Sequence, residues 1–328
     1  MNQSFHDKPF ESFYNEYLKK TLRQMDADNK KSRNKMNKML LILTVLVVIE
    51  LALALYGDHV WKYLSTVGWV LLLLSSLIFS IIYIGYRDDR KKEMKQMRHT
   101  FKKSVIVPFL RYYYNDFRYI PRQRMGKKTI CKSRLFRTDI IKIEGEDFMR
   151  FRLDGVQIQF SELILHFYKN TAYFNGVFMS ADFHKPFKTR CIVLPETWAS
   201  RKRGKRVVNF DLLSYDPTKS MELVELEAGE FEDAFIVYGD SQIETRFILT
   251  PSLMHRMVDY KKRLGNRVFF SFVDNHIYMK MEHDPNLFEP RYQARNEDPD
   301  FIKRNLMMVN LFTDIVEELN LNTKIFKT

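Results

Sequence analysis

Phe148-Met149-Arg150-Phe151-Arg152-Leu153-Asp154-Gly155-Val156-Gln157-Ile158-Gln159-Phe160-Ser161 is the stretch from which the fold can be read. Asp-Gly between two alternating segments predicts a two-residue hairpin turn. The register then pairs Leu153 with Val156, Phe151 with Ile158 and Met149 with Phe160 on one face. Arg152 faces Gln157 and Arg150 faces Gln159 on the other. One apolar and one polar face is what a half-buried antiparallel sheet requires.

Working outward, Asp274-Asn275 predicts a second hairpin by the same rule. Phe272, Phe270 and Val268 pair inward with Ile277, Met279 and Met281, and Arg267 meets Glu282 as an outer charge pair. Tyr173–Met179 and Phe187–Leu194 read as further strands, with Val207–Leu213 weaker. The basic run Arg201–Arg206 suggests a nucleic-acid or lipid patch, but five basic residues around one Gly read more simply as an exposed hairpin tip. Glu222–Glu244 reverses the sign, carrying acids and no base. Ser161 is expected to cap a helix starting at Glu162. Thr250-Pro251 predicts another helix start, with Leu253, Met254, Met257, Val258 and Leu264 toward a core and a stop near Gly265. A last amphipathic helix is expected over Asp300–Leu319, with Ile302, Leu306, Val309, Phe312, Val316 and Leu319 inward. The fold class is α+β, with a mainly antiparallel sheet and flanking helices.

Ahead of this lie two apolar runs, Met39–Tyr56 and Val67–Ile84, of near-spanning length. Nine Lys or Arg precede Met39, and Arg87, Arg90, Lys91, Lys92, Lys95 and Arg98 follow Ile84, whereas the connecting loop holds only Lys62. The positive-inside bias predicts a transmembrane hairpin in the cytoplasmic (inner) membrane, multi-pass, with N- and C-termini cytoplasmic. The expected organisation is a cytoplasmic N-terminal segment (1–37), a transmembrane hairpin (38–86, spans 39–56 and 67–84), a juxtamembrane helix and basic segment (87–125), and a cytoplasmic α+β domain with a C-terminal helix (126–328). Pro108 should bend the juxtamembrane helix near Val107. Folding the hairpin about residues 61 and 62 sets Glu50 one turn from Ser75 and Ser76, an expected intramembrane polar contact. Arg118, Arg122, Arg124, Lys127, Lys128, Lys132, Arg134 and Arg137 form a run without an acidic residue. It reads either as a contact for anionic lipid, worth about 1 kcal/mol per charge, or as a solvated face.

The net charge is +13 and there are two cysteines, Cys131 and Cys191, which do not indicate a disulfide framework. None of the eight histidines pairs at the helical i, i+4 spacing of a metal site. Asp182-Phe183-His184 and His283-Asp284 come nearest to constellations and read as turn or strand residues. A phosphate loop, a nucleophile elbow and a dinucleotide glycine cluster are all missing. Glu146-Asp147 and Ser161-Glu162 could bring carboxylates to the mouth of a sheet. No cofactor and no metal are expected.

Ser133-Arg134-Leu135-Phe136, Gly145-Glu146-Asp147, Phe160-Ser161-Glu162-Leu163, Phe235-Ile236-Val237-Tyr238, Ile248-Leu249-Thr250-Pro251-Ser252-Leu253-Met254 and Phe288-Glu289-Pro290 occur in this order. In that order they resemble the bacterial domain of unknown function 3137 family, from the apolar hairpin to about Tyr292. The resemblance implies a bacterial membrane protein with no assigned activity and no catalytic residues to carry over. It also points to a LemA-like membrane protein as partner. Two function classes follow. One is a non-catalytic binding or scaffold protein at the cytoplasmic membrane face, in contact with anionic lipid and able to form a homo-oligomer, with no nucleic acid bound. The other is an enzyme or transport-complex component acting on a membrane-linked substrate.

Overall fold

The computed structural model describes residues 10–56, 64–136, 139–166, 172–182, 187–196, 199–202, 205–208, 218, 220–227, 229–264, 267–282, 288–292 and 295–325. Chain contacts divide it into two units. One is a sheet unit (109–287 and 303–328, with residues 1–8), the other a helical unit (9–108 and 288–302).

In the sheet unit, β1 (Asn115–Ile120), β2 (Lys142–Leu153), β3 (Val156–His166), β4 (Ala172–Asp182), β5 (Cys191–Pro195), β8 (Glu222–Val224), β9 (Phe235–Gly239), β10 (Val268–Val273) and β11 (His276–Glu282) make one sheet. Its order is β1-β2-β3-β4-β11-β10-β5-β9-β8. Each neighbouring pair is antiparallel. A separate ribbon joins β6 (Ala199–Lys202) to β7 (Lys205–Val208), the expected hairpin of the basic run, although its tip at 203–204 lies outside the described residues.

Both predicted registers are observed. Leu153 pairs with Val156, Phe151 with Ile158 and Met149 with Phe160, and all six side chains are buried. Asp154 and Gly155 take φ of +49° and +85°, the positive pair that matches the twist of a tight hairpin. In the second hairpin Phe272 pairs with Ile277, Phe270 with Met279 and Val268 with Met281, and Arg267 Nη1 lies 2.7 Å from Glu282 Oε2. The two hairpins differ on their reverse faces. Arg152 stays exposed on the first. On the second, Phe269, Val273 and Tyr278 are buried, because β10 and β11 are central strands covered on both sides.

On one side, α8 (Pro251–Leu264) seats Tyr260 edge-on to Phe270 at 6.0 Å, and Arg256 Nε ties it to Glu318 of α9 (Pro299–Ile325) at 3.0 Å. Thr250 caps α8 as the sequence predicts, its Oγ1 accepting from Leu253 N at 3.3 Å. Leu253, Met254, Met257 and Val258 are buried beneath α8, as are Ile302, Val309, Phe312, Val316 and Leu319 along α9. Gly265 and the side chains of Leu264 and Leu306 lie outside the described residues. On the other side, α5 (Lys127–Lys132) and the turn after it bury Met125, Ile130, Leu135 and Phe136 against Phe174, Phe178, Phe269 and Tyr278.

One local expectation fails here. Ser161 does not cap a helix: β3 continues to His166, paired residue by residue with β4, and both Ser161 and Glu162 are buried within it. Pairing on both flanks overrides the local capping preference, which operates only where backbone donors lack partners.

In the helical unit, α1 (Phe10–Phe13) and a π-helical turn at Tyr14–Leu18 lead into α2 (Lys19–Tyr56), which packs beside α3 (Leu64–Phe101). A second π-helical turn, Lys102–Ile106, precedes α4 (Val107–Tyr113). Pro108 has no N–H to return to the preceding turn, and the wide turn before it absorbs the mismatch. Residues 288–292 and 295–298 are strapped to the helices. Asp26 accepts from Asn296 N and Nδ2 and from Glu297 N, Tyr14 Oη donates to the Glu297 carbonyl at 2.9 Å, and Arg98 Nε meets the buried Glu289 carboxylate at 3.0 Å.

The transmembrane hairpin is overturned. Among the described residues, no helix is long and apolar enough to cross a membrane. The helix α2 carries Lys and Arg as far as Lys38, and α3 runs on through Arg87 and Arg90, so each apolar run is only part of a longer, charged helix. The multi-pass inner-membrane placement and the cytoplasmic assignment of the termini fall with it, as do the membrane and transmembrane descriptions. The mixed helix and antiparallel-sheet class stands. Several side chains on these stretches are exposed, among them Leu41 (66%), Leu73 (72%) and Ile81 (62%).

Candidate functional site

Strand β1 is an edge of the nine-stranded sheet, paired only with β2. Alternation along it buries Phe117 and exposes Arg118. The chain then runs along β2 and is fastened to it by backbone. Asp147 N donates to the Pro121 carbonyl and Phe148 N to the Gln123 carbonyl, both at 3.1 Å. Met125 and Ile130 insert into the core, so α5 has a buried face and an outward one. Lys127, Lys128 and Lys132 occupy the outward face, with Lys128 and Lys132 one turn apart. The predicted basic residues are therefore brought onto one continuous segment. Arg118, Arg122, Arg124, Lys127, Lys128, Lys132 and Arg134 are all exposed, and Arg137 lies outside the described residues. Arg124 Nε spends its charge on the Ile143 carbonyl at 3.0 Å and Lys127 Nζ on the Ile140 carbonyl at 2.8 Å. Among the described residues no carboxylate lies within ion-pair distance of the other five.

Beneath the same segment, β2 carries a bulge between Glu146 and Met149 opposite β3. Asp147 adopts φ +59° there and is fully buried. The bulge turns Glu146 and Asp147 toward Glu162, and one oxygen of each lies within 4.8 Å of the others. Three hard carboxylate oxygens of this kind could hold a divalent cation. Tyr119 Oη donates to Asp147 Oδ1, and burial together with that carboxylate pushes the phenol far above its ordinary value. Gly145 is required beside it: a Cβ there would stand 2.3 Å from the Glu162 carbonyl oxygen. The sequence places these three acids near a sheet end, but their convergence needs the bulge, which alternation alone does not reveal.

The sequence reading missed Lys280. Its side chain is 2% exposed, with Nζ 3.0 Å from the Leu135 carbonyl and over the rings of Phe269 (4.3 Å) and Phe136 (5.0 Å). Burial pushes its pKa down to about 8. In the helical unit a cleft of about 260 Å³ between α2 and α3 is lined by Met25, Asn29, Ser32, Arg90, Met97 and Tyr292 among others.

The remaining expected sites are not assembled. The Glu50 side chain, His184, His283 and Asp284 lie outside the described residues. Ser76 Oγ donates to the Leu73 carbonyl of its own helix at 2.8 Å, and Ser75 is half-buried in α3. Asp182 is 3.9 Å from His276. Cys191 is fully buried, and burial drives its thiol well above the ordinary value.

A family model described as Protein of unknown function (DUF3137) matches residues 172–321. It starts at β4 and runs past Tyr292, leaving out the blocks near residues 133, 145 and 160. No curated protein matches the sequence. The crystal structure of the mycobacterial trehalose monomycolate transport factor A, TtfA, is similar at 11% identity, over 68% of this chain and 94% of that chain, with a TM-score of 0.31. A likeness at that level carries no argument.

Proposed function

Because the chain belongs, through residues 172–321, to the DUF3137 family of proteins of unknown function, we propose a role from the surface of its sheet unit: a non-catalytic binding or scaffold module whose basic edge engages anionic lipid headgroups. One observation carries this reading. From Arg118 to Arg134 seven basic side chains are exposed with no acidic residue among them, on a backbone pinned to β2. Five of these cations, Arg118, Arg122, Lys128, Lys132 and Arg134, are left to face a surface of phosphate charges, where each contributes about 1 kcal/mol. Lysines and arginines on an edge strand also discourage sheet-to-sheet pairing, a role that would leave lipid binding unaffected by their removal.

Vesicle co-sedimentation of the full chain separates the two. Affinity for vesicles containing phosphatidylglycerol should exceed that for phosphatidylcholine alone and fall with added salt. Reversing Lys128→Glu and Lys132→Glu should weaken it by at least about 30-fold, from about 1 kcal/mol per lost charge. Equal binding to both vesicle types, or no response to the double variant, refutes the proposal.

A further inference from the structure

The segment carrying the basic face is fastened to the sheet through Lys280. Ser133, fully buried, donates from Oγ to the Ile130 carbonyl at 2.6 Å and accepts from Leu135 N at 3.2 Å, closing the end of α5. Arg134 takes φ +55°, which reverses the chain and drops the Leu135 carbonyl and the Phe136 ring onto Lys280. Phe136 also meets Phe174 and Phe178 edge-on, at 4.9 and 5.3 Å. The ammonium is thus enclosed by one carbonyl and two ring faces.

Its charged surroundings are sparse. Its own strand supplies Glu282, whose charge favours the protonated form, and Tyr278, a buried phenol of the same cluster. From the covering segment come Cys131, half-buried, and the exposed Arg134. The flanking strands β4 and β10 set Phe178 and Phe269 opposite it, neither charged. Among the described residues no carboxylate lies within ion-pair distance of Lys280. An amine so placed holds its proton less tightly than in water, and lifting Leu135 and Phe136 away would return it to solvent.

We propose that residues 125–136 form a proton-linked lid over the aromatic face of the sheet, its opening favoured by protonation of Lys280. Covered, the amine titrates at about 8, and uncovered at its ordinary value near 10.4. Within that window a rise in pH favours the closed lid, because the open form is the one that binds the extra proton. Below the window both forms are protonated and opening reaches its maximum. The inference goes beyond the lipid-binding reading and does not depend on it.

Hydrogen exchange of the full chain, followed by mass spectrometry from pH 7 to 10 and corrected for intrinsic rates, tests it. Peptides over 127–136 should exchange ahead of β5 and β9, and their protection should rise by roughly 50-fold across that range. Lys280→Met should abolish the rise. Pooled exchange of the lid with β5 and β9, unchanged protection, or a rise that survives in Lys280→Met overturns the proposal. Should that variant not fold, the Lys280 side-chain titration followed by NMR in the unaltered protein decides: a midpoint near 8 supports the lid, and one near 10.4 sinks it. Failure of vesicle binding would leave these readouts unchanged.

Discussion

Asp26→Ala should free the strap of the helical unit. Asp26 Oδ2 accepts from Asn296 N at 2.8 Å and Glu297 N at 3.0 Å, while Oδ1 accepts from Asn296 Nδ2 at 2.8 Å. Asn296 is fully buried, so water cannot readily replace the lost acceptor. A hydrogen bond to a charged group contributes about 1.5–3 kcal/mol, and a buried donor left without a partner costs about 1–3 kcal/mol. Asn296 retains two bonds, donating to the Arg291 carbonyl and accepting from Arg291 N, so the loss is partial. Three donors sharing one carboxylate are coupled and do not add in full. We therefore expect a local loss of about 3 kcal/mol, read as a roughly 150-fold rise in the opening constant. Hydrogen exchange of a peptide over 295–302 reports it directly, without assuming that both units unfold together. Asp26→Asn, which keeps one acceptor but presents an NH2 to the donors, should fall between. A change under about 5-fold for Asp26→Ala would show that the strap is held by its other contacts, such as Arg98 with Glu289, and would refute the reasoning.

Lys280 also predicts a pH dependence of overall stability. Its folded pKa of about 8 lies below its ordinary value, so at this side chain the unfolded chain holds the extra proton between pH 8 and about 10.4, and Lys280's own contribution to stability should rise through that window by about 3 kcal/mol, against the opposite contributions of the Cys191 thiol and the Tyr119 phenol, whose values burial raises. The urea midpoint of the wild type relative to that of Lys280→Met should rise through the window; a relative midpoint that falls would contradict the sign. Gly145→Ala should destabilise the bulge by more than about 2 kcal/mol, since its Cβ would strike a backbone oxygen of β3 that cannot swing aside. A melting temperature within about 1 °C of wild type would show that the bulge relaxes freely.

The parts legible in the sequence share one property: they are settled by neighbours along the chain. Asp154-Gly155 and Asp274-Asn275 set the turns, and the period-two alternation around them sets which side chains pair. Thr250-Pro251 starts a helix for the same local reason. Where the backbone's partners come from distant sequence, local rules gave the wrong answer, as at Ser161-Glu162, which β4 holds in a strand. The apolar runs show a different limit. Composition counts greasy residues, but among the described residues no helix is long and apolar enough to cross a membrane.

The sequence by itself determined the antiparallel registers, the α+β class and the collection of basic residues between Arg118 and Arg134, because each follows from short spacings and charge. Only the tertiary structure decided that the acids of β2 and β3 converge at a bulge, that Asp26 clasps Asn296 from 270 residues away, and that Lys280 lies under Leu135 and Phe136. Burial depends on what the rest of the chain lays over a residue, and no periodicity along one strand records what will cover it.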